Sequence, residues 1–134
     1  MKVEISKEQR DALGKKIELC VDFLRKEVQP HIVRNDKIEV AMSSTMDLLL
    51  TDSRIYVTES VPIVPGLDFC RKKVWLLENP GRKKDKQYIC EANPDLAVEF
   101  LKCWKAAKAE LEKQISTKNK QVDELNQFVE EFHL

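Results

Sequence analysis

The feature of this sequence that most constrains its fold is a long C-terminal segment without a helix-breaking residue. Asn93, Pro94 and Asp95 supply a capping side chain, a proline at the first helical position and an acid in the first turn. No proline or glycine follows, so we expect one helix over residues 93–133. The polar stretch at residues 116–119 is the expected place for a kink or a break into two helices.

Apolar residues in this helix recur at alternating intervals of four and three, the spacing of a heptad seam. The seam consists of Ala97, Leu101, Trp104, Leu111, Ile115, Val122, Leu125, Val129 and Phe132. Lys108 and Lys118 stand at the two seam positions where apolar residues are expected. A seam of this length predicts that the helix packs along a second helix.

So small a chain is not expected to cover the whole seam of this helix, and we predict self-association as a homodimer. The residues predicted to form the interface are Leu111, Ile115, Val122, Leu125, Phe128, Val129 and Phe132. The alternative is intramolecular. In that case the second half of the helix folds back along the first helix as an antiparallel pair, against the similarly spaced Leu13, Ile17, Cys20 and Leu24.

The first helix is predicted over residues 6–29, because Ser6 and Gln9 form a capping-box signature and Pro30 ends the helix. Residues 37–91 then change to the alternating and β-branched patterns of strands, separated by turn residues. We expect an antiparallel sheet of four to five short strands there. The strands are predicted at residues 37–42, 48–50, 55–58, 69–77 and 87–90, with a turn at residues 79–81 between the last two.

A length of 134 residues suits one domain, residues 1–134, with one hydrophobic core. The order of elements predicts an α+β fold with an N-terminal helix, an antiparallel sheet and a long C-terminal helix. Lys plus Arg and Asp plus Glu both number 23, so the net charge does not attract nucleic acid or lipid.

The most distinctive polar feature is a basic cluster on the predicted hairpin between residues 69–77 and 87–90. It consists of Arg71, Lys72, Lys73, Arg82, Lys83, Lys84 and Lys86. Trp75 and Tyr88 lie on the same predicted strands, where aromatic rings can stack on single-stranded bases while cations bind phosphates. The cluster is therefore the predicted surface for a partner protein or nucleic acid. A solvated sheet edge is the simpler interpretation, because lysines on edge strands prevent pairing between molecules.

The residues needed for catalysis or cofactor binding do not occur in a recognisable spacing. Structural zinc sites use Cys or His in pairs about two to four residues apart. Here the closest cysteines are Cys90 and Cys103, and His31 and His133 each stand alone. Three glycines are too few for a glycine-rich phosphate loop, and no Gly-x-Ser-x-Gly motif occurs. We therefore expect no metal, no cofactor and no enzymatic activity.

We expect a cytoplasmic protein that does not bind membranes. No segment approaches the roughly 18 consecutive apolar residues of a membrane span. The N-terminus lacks the apolar stretch of a signal peptide. The four cysteines are expected to be reduced and mostly buried.

These features together predict a non-catalytic protein-binding module that self-associates and acts as a small regulator or inhibitor of another macromolecule. By analogy, small α+β proteins without catalytic residues include inhibitors encoded by phages and mobile elements. The alternative function is a small nucleic-acid-binding protein that uses the basic hairpin.

Overall fold

A computed structural model of the chain describes residues 6–64, 66, 70–81 and 87–131. These residues have an α+β fold in which two long helices pack with an antiparallel sheet around one hydrophobic core, so the predicted fold class is confirmed. In chain order the elements are α1 (Lys7–Phe23), a π-helical turn (Leu24–Val28), a 3-10 turn (Gln29–His31), β1 (Lys37–Ala41), β2 (Met46–Thr51), β3 (Ile55–Pro62), β4 (Cys70–Leu76), α2 (Ile89–Ala92) and α3 (Pro94–Glu131).

The predicted capping box begins α1. The Gln9 N–H donates to Ser6 Oγ at 3.1 Å, and the Ser6 N–H donates to Gln9 Oε1 at 2.9 Å. After α1 the chain continues helically through the π-helical turn and ends in the 3-10 turn that contains Pro30. Proline ends the run because it has no N–H to donate and its ring clashes with the preceding turn.

The sheet of the described residues has four strands in the order β1-β2-β3-β4, and each neighbouring pair is antiparallel. Leu48 of β2 lies between Val40 of β1 and Val57 of β3, and Val57 pairs in turn with Trp75 of β4. The first three of these side chains are buried and the tryptophan is half-buried against the core. Because alternate residues of a strand share a face, this row defines the side of the sheet that faces the helices.

The prediction of a fifth strand at residues 87–90 is wrong. Tyr88 makes a single parallel bridge to Leu76, and the chain then turns into α2. Ile89 and Cys90 are 0% and 1% exposed, whereas neighbouring residues of a strand point to opposite faces. A helical turn brings both into the core, and a short apolar run by itself does not distinguish a strand from a buried helix.

α1 and α3 run in the same direction. Near their N-termini, Arg10 forms a 3.6 Å ion pair with Glu91, which precedes α3. At the other end of α1, Phe23 packs edge to face on Trp104 of α3, with ring centroids 5.8 Å apart. The alternative considered for the second half of the last helix, antiparallel packing on the first helix, is therefore wrong. Short loops make consecutive helices antiparallel, but here the whole sheet separates the two helices in sequence.

α3 is one continuous helix of 38 residues. It starts where predicted, and the Leu96 N–H donates a 3.2 Å hydrogen bond to Asn93 Oδ1. The break expected at residues 116–119 is absent. Ser, Thr and Asn each cost less than about 1 kcal/mol in a helix, and Lys118 within this stretch is anchored to the body of the chain through His31.

Candidate functional site

The C-terminal part of α3 is the least covered part of the described chain. Lys118 Nζ donates a 3.3 Å hydrogen bond to the backbone carbonyl oxygen of His31, the last residue of the 3-10 turn. After this contact, every residue from 119 to 131 is exposed. We call residues 119–131 the α3 extension. At about 1.5 Å per residue it is about 20 Å long.

The α3 extension carries large apolar side chains on its surface. Val122, Leu125, Phe128 and Val129 are 49%, 61%, 56% and 62% exposed. Val129 lies 18 residues after Leu111, which is about five turns and therefore the same helix face. Leu111 is 0% exposed, so the extension continues the buried face of α3 beyond the body that covers it. An exposed apolar stripe of this kind is typical of a protein-interaction surface.

The structure divides the residues predicted for self-association. Four of them are exposed: Val122, Leu125, Phe128 and Val129. Leu111 belongs to the core of the chain itself and has no surface left for a partner, so its place in the predicted interface is corrected. Ile115 is partly buried against the same core. Heptad spacing does not distinguish packing within a chain from packing between chains. Phe132 lies outside the described residues.

Charge is separated along the last part of α3. Residues 113–120 contain Lys113, Lys118 and Lys120 and no acid, whereas residues 123–131 contain four acids and no Lys or Arg. The acids are Asp123, Glu124, Glu130 and Glu131. Acids at the C-terminal end of a helix are unfavourable, because the helix dipole is negative there. Cations supplied by a partner would therefore stabilise this end. Heptad spacing selects Lys118 but not Lys113 or Lys120; the signal that groups the three lysines is the run of eight residues without an acid.

The described members of the predicted basic cluster lie on β4, which forms a hairpin with β3. They do not belong to the predicted hairpin with residues 87–90, because those residues do not form a strand. Arg71, Lys72 and Lys73 are consecutive in β4 and exposed. Lys72 Nζ is 3.9 Å from a carboxylate oxygen of Asp47, and Lys73 Nζ is 6.0 Å from the centroid of the Trp75 ring. The other predicted members lie outside the described residues: Arg82, Lys83, Lys84 and Lys86.

β4 forms one edge of the described sheet. At the end of this strand, the Leu76 N–H donates a 2.6 Å hydrogen bond to the Gln87 carbonyl oxygen. Ile63 and Val64 follow β3, and Val74 lies on β4; all three are large apolar side chains that are exposed. Consecutive cations on an edge strand oppose the addition of a strand from another molecule. The hairpin is therefore a second candidate surface, suited to an acidic partner.

A polar cleft of about 400 Å³ lies between α1, α2 and the turn after β4. Its side chains already pair with one another: Arg10 with Glu91 at 3.6 Å, and Arg25 with Glu78 at 2.6 Å. A charged ligand would have to compete with these ion pairs. The cleft is therefore a weaker candidate than the α3 extension.

Two groups that line this cleft, the Cys90 thiol and the Tyr88 hydroxyl, are kept in their neutral forms by burial. Burial raises the pKa of the Cys90 thiol. Burial is also the main cause of the raised pKa of Tyr88, and a hydrogen bond with Cys90 is the second cause. Burial also raises the pKa of Cys20 to about 11. A nucleophilic thiol needs the opposite shift. All four cysteines are free, but Cys70 is exposed and Cys103 only half-buried, so the expected burial holds for Cys20 and Cys90 alone.

Metal binding and membrane insertion find no support in the part of the chain that the structure describes. In that part, no three His, Cys, Asp or Glu side chains are placed to hold a metal ion. Likewise, no described helix combines the length and apolar character that crossing a bilayer requires. His31 is exposed, and His133 lies outside the described residues.

Comparisons of this chain with protein-family models, with curated proteins and with solved structures found no significant match. The function is therefore inferred from its own surfaces. Among those described, the α3 extension is the strongest candidate, because an exposed apolar row there continues a buried face of the same helix.

Proposed function

We propose that this protein is a non-catalytic protein-binding module that self-associates through the α3 extension and regulates or inhibits another macromolecule. The observation that carries the proposal is the row of Val122, Leu125 and Val129, three exposed side chains in line with the fully buried Leu111. A helix face with this pattern is expected to be covered by another helix.

A protein fits the α3 extension better than a small ligand does. Small-molecule sites are concave and enclose most of their ligand, whereas a single exposed helix is convex. Fully burying one Val or Leu side chain contributes roughly 1.5–3 kcal/mol, so covering three half-exposed side chains supplies several kcal/mol. This is modest against the cost of bringing two chains together. We therefore expect reversible association that depends on concentration.

Association through the extension would leave the sheet and the β3–β4 hairpin of each copy available to a target. Arg71, Lys72 and Lys73 are exposed there and would favour an acidic protein surface. Regulation by binding needs no nucleophile, in keeping with the neutral, buried Cys90. Four free thiols suit a cytoplasmic location.

The test is the mass in solution, measured by light scattering after size exclusion over a range of concentrations and at two salt concentrations. We expect a dimer at high concentration for the native chain, and a folded monomer for the double variant Leu125→Asp with Val129→Asp. Ala109→Asp with Gln127→Asp adds the same charge on the opposite face of α3 and should still dimerise. A native chain that stays monomeric at millimolar concentration would rule out self-association.

Nucleic-acid binding is the second candidate, favoured by the three consecutive cations of β4 beside Trp75. It predicts retention on a single-stranded DNA or RNA column that weakens steeply with salt. Arg71→Glu with Lys72→Glu and Lys73→Glu should abolish that retention. We call the continuous helical run of residues 7–31 the first helical segment. Changing Lys15, Lys16 and Lys26 to Glu makes the same charge change on this segment and should leave the retention intact. If the native chain passes through the column at low salt, this candidate is excluded.

A further inference from the structure

The bare face of the α3 extension continues a face that the chain covers by itself. Before Lys118, this part of α3 packs on the first helical segment, with Trp104 against Phe23 and Lys118 against His31. Leu111, between those two contacts, is fully buried. The first helical segment ends at His31, and α3 continues for 13 more residues. Among the described residues, no helix lies beside the extension as the first helical segment lies beside the earlier part of α3.

The extension of a second copy can supply that helix. Val122, Leu125 and Val129 are spaced by three and four, so two such rows can interlock side chain by side chain. A contact between identical surfaces closes into a twofold dimer and exposes no further copy of the row.

The shape of the chain decides the direction of this pairing. In a parallel pair, residues of the second α3 before Lys118 would lie beside the same residues of the first. At that level the facing sides of both helices are already occupied by the first helical segment of their own chain. The second α3 would then overlap sterically with the first helical segment of the first copy. In an antiparallel pair, the second body lies beyond the end of the first α3, and each α3 terminus approaches the end of the other copy's first helical segment.

The charges favour the same direction. Residues 113–120 carry a net charge of +3 and residues 123–131 a net charge of −4. An antiparallel pair places each basic stretch beside Glu130 and Glu131 of the other copy. Asp123 and Glu124 of the two copies meet near the centre of the pair in either direction. A parallel pair places basic beside basic and acidic beside acidic, which is unfavourable for charges within about 10 Å of each other.

We propose that two copies of this chain pair through their α3 extensions in antiparallel orientation, end to end, with the acidic end of each α3 against the lysines of the other copy. The inference rests on the proposed self-association and adds its partner and direction. With Leu125 of one copy opposite Val122 of the other, the two α3 N-termini lie about 90 Å apart at about 1.5 Å per residue. The dimer is an elongated rod with one sheet at each end.

The orientation is tested by one distance. Ala109 is exposed and lies on the face of α3 opposite Leu111, away from the proposed contact, so Ala109→Cys can carry a spin label. Cys70→Ser and Cys103→Ala remove the two accessible native thiols. We expect a distance between labels of about 45–50 Å in the dimer, from the helix rise and an interaxial spacing of about 10 Å. A parallel dimer gives less than about 30 Å.

The mass of the labelled sample separates the two proposals. A dimer with the long distance supports both. A dimer with the short distance overturns the antiparallel arrangement and leaves self-association standing. A monomer overturns both.

Charge reversal gives a second readout with opposite signs for the two directions. Lys113→Glu with Lys120→Glu changes residues 113–120 from +3 to −1 and leaves Lys118 bonded to His31. In the antiparallel dimer, the stretch then lies beside Glu130 and Glu131 of the other copy, and we expect the dissociation constant to rise by about tenfold or more at low salt. In a parallel dimer, the same change reduces repulsion between the two lysine stretches, and association tightens. Lys102→Glu with Lys105→Glu is the control, because both residues lie outside the overlap.

Discussion

Lys118 and His31 are 87 residues apart in sequence, and the Nζ atom of Lys118 donates a 3.3 Å hydrogen bond to the backbone carbonyl oxygen of His31. At this contact the first helical segment ends, and α3 continues without it. Before it, side chains of α3 such as Leu111 are part of the core; after it, every described residue of α3 is exposed. One heptad seam therefore serves two purposes, stability in its first half and the proposed binding in its second.

The first prediction compares two residues on one helix face. Leu111→Ala should lower the free energy of unfolding by about 2–5 kcal/mol, because it leaves a cavity in the core. Val129→Ala, 18 residues later on the same face, should change it by less than about 0.5 kcal/mol. Urea denaturation at low micromolar concentration, where the chain is expected to be monomeric, measures both. Equal effects would mean that the extension is part of the folded core.

The second prediction concerns two glycines. Gly14 lies inside α1, and a Cβ built on it would be 3.5 Å from the hydroxyl oxygen of Tyr88, an ordinary van der Waals contact. Gly14→Ala should therefore stabilise the chain by about 0.5–1 kcal/mol through helix propensity. Gly81 has φ +76°, so Gly81→Ala should destabilise it. Thermal unfolding should give shifts of opposite sign, and a loss of stability in the first variant would show that Tyr88 cannot move.

The third prediction is a loss of stability at alkaline pH. Burial raises the pKa of Cys20 from 9.0 to about 11, so the folded chain holds this proton more tightly than the unfolded chain does. The resulting stabilisation is complete below pH 9 and is lost as the pH rises from 9 towards 11. Urea denaturation across this range should show a smaller decline for Cys20→Ala than for the native chain. Cys90 and Tyr88 keep their own dependence in both chains, and identical declines would contradict the assignment to Cys20.

The fourth prediction is an order of thiol reactivity. Cys70 is exposed, Cys103 is half-buried, and Cys20 and Cys90 are buried. In the native chain at pH 8, a disulfide reagent should modify Cys70 rapidly, Cys103 more slowly and the other two only on unfolding. Mass spectrometry of the modified peptides over time gives the order. Rapid modification of Cys90 would mean that the cleft beside α2 opens in solution.

Several elements are predictable from short stretches of sequence. The capping box of Ser6 and Gln9 begins α1, and Asn93 caps α3 as expected. The four strands that the structure describes lie at four of the five predicted positions. Each of these signals acts between residues a few positions apart, where hydrogen bonds and side-chain spacing are local properties.

The errors come from choices between distant partners. The run of Tyr88, Ile89 and Cys90 is apolar in either conformation, and only the core beneath it favours a helical turn over a strand. The basic residues of β4 belong to a hairpin with the strand before them, not with the segment after them. A short apolar run does not specify which neighbour it will pack against.

The sequence by itself determined that a long helix from Asn93 carries one continuous apolar seam, because helix starts, helix breakers and heptad spacing are written in neighbouring residues. Only the tertiary structure decided that the first helical segment covers this seam in a parallel direction and only as far as Lys118. The length of the first helical segment sets how far the seam is covered. The sheet, which separates the two helices in sequence, allows them to run in the same direction. Leu111 and Val129 are equivalent in the seam, and what separates core from surface is whether another element reaches them.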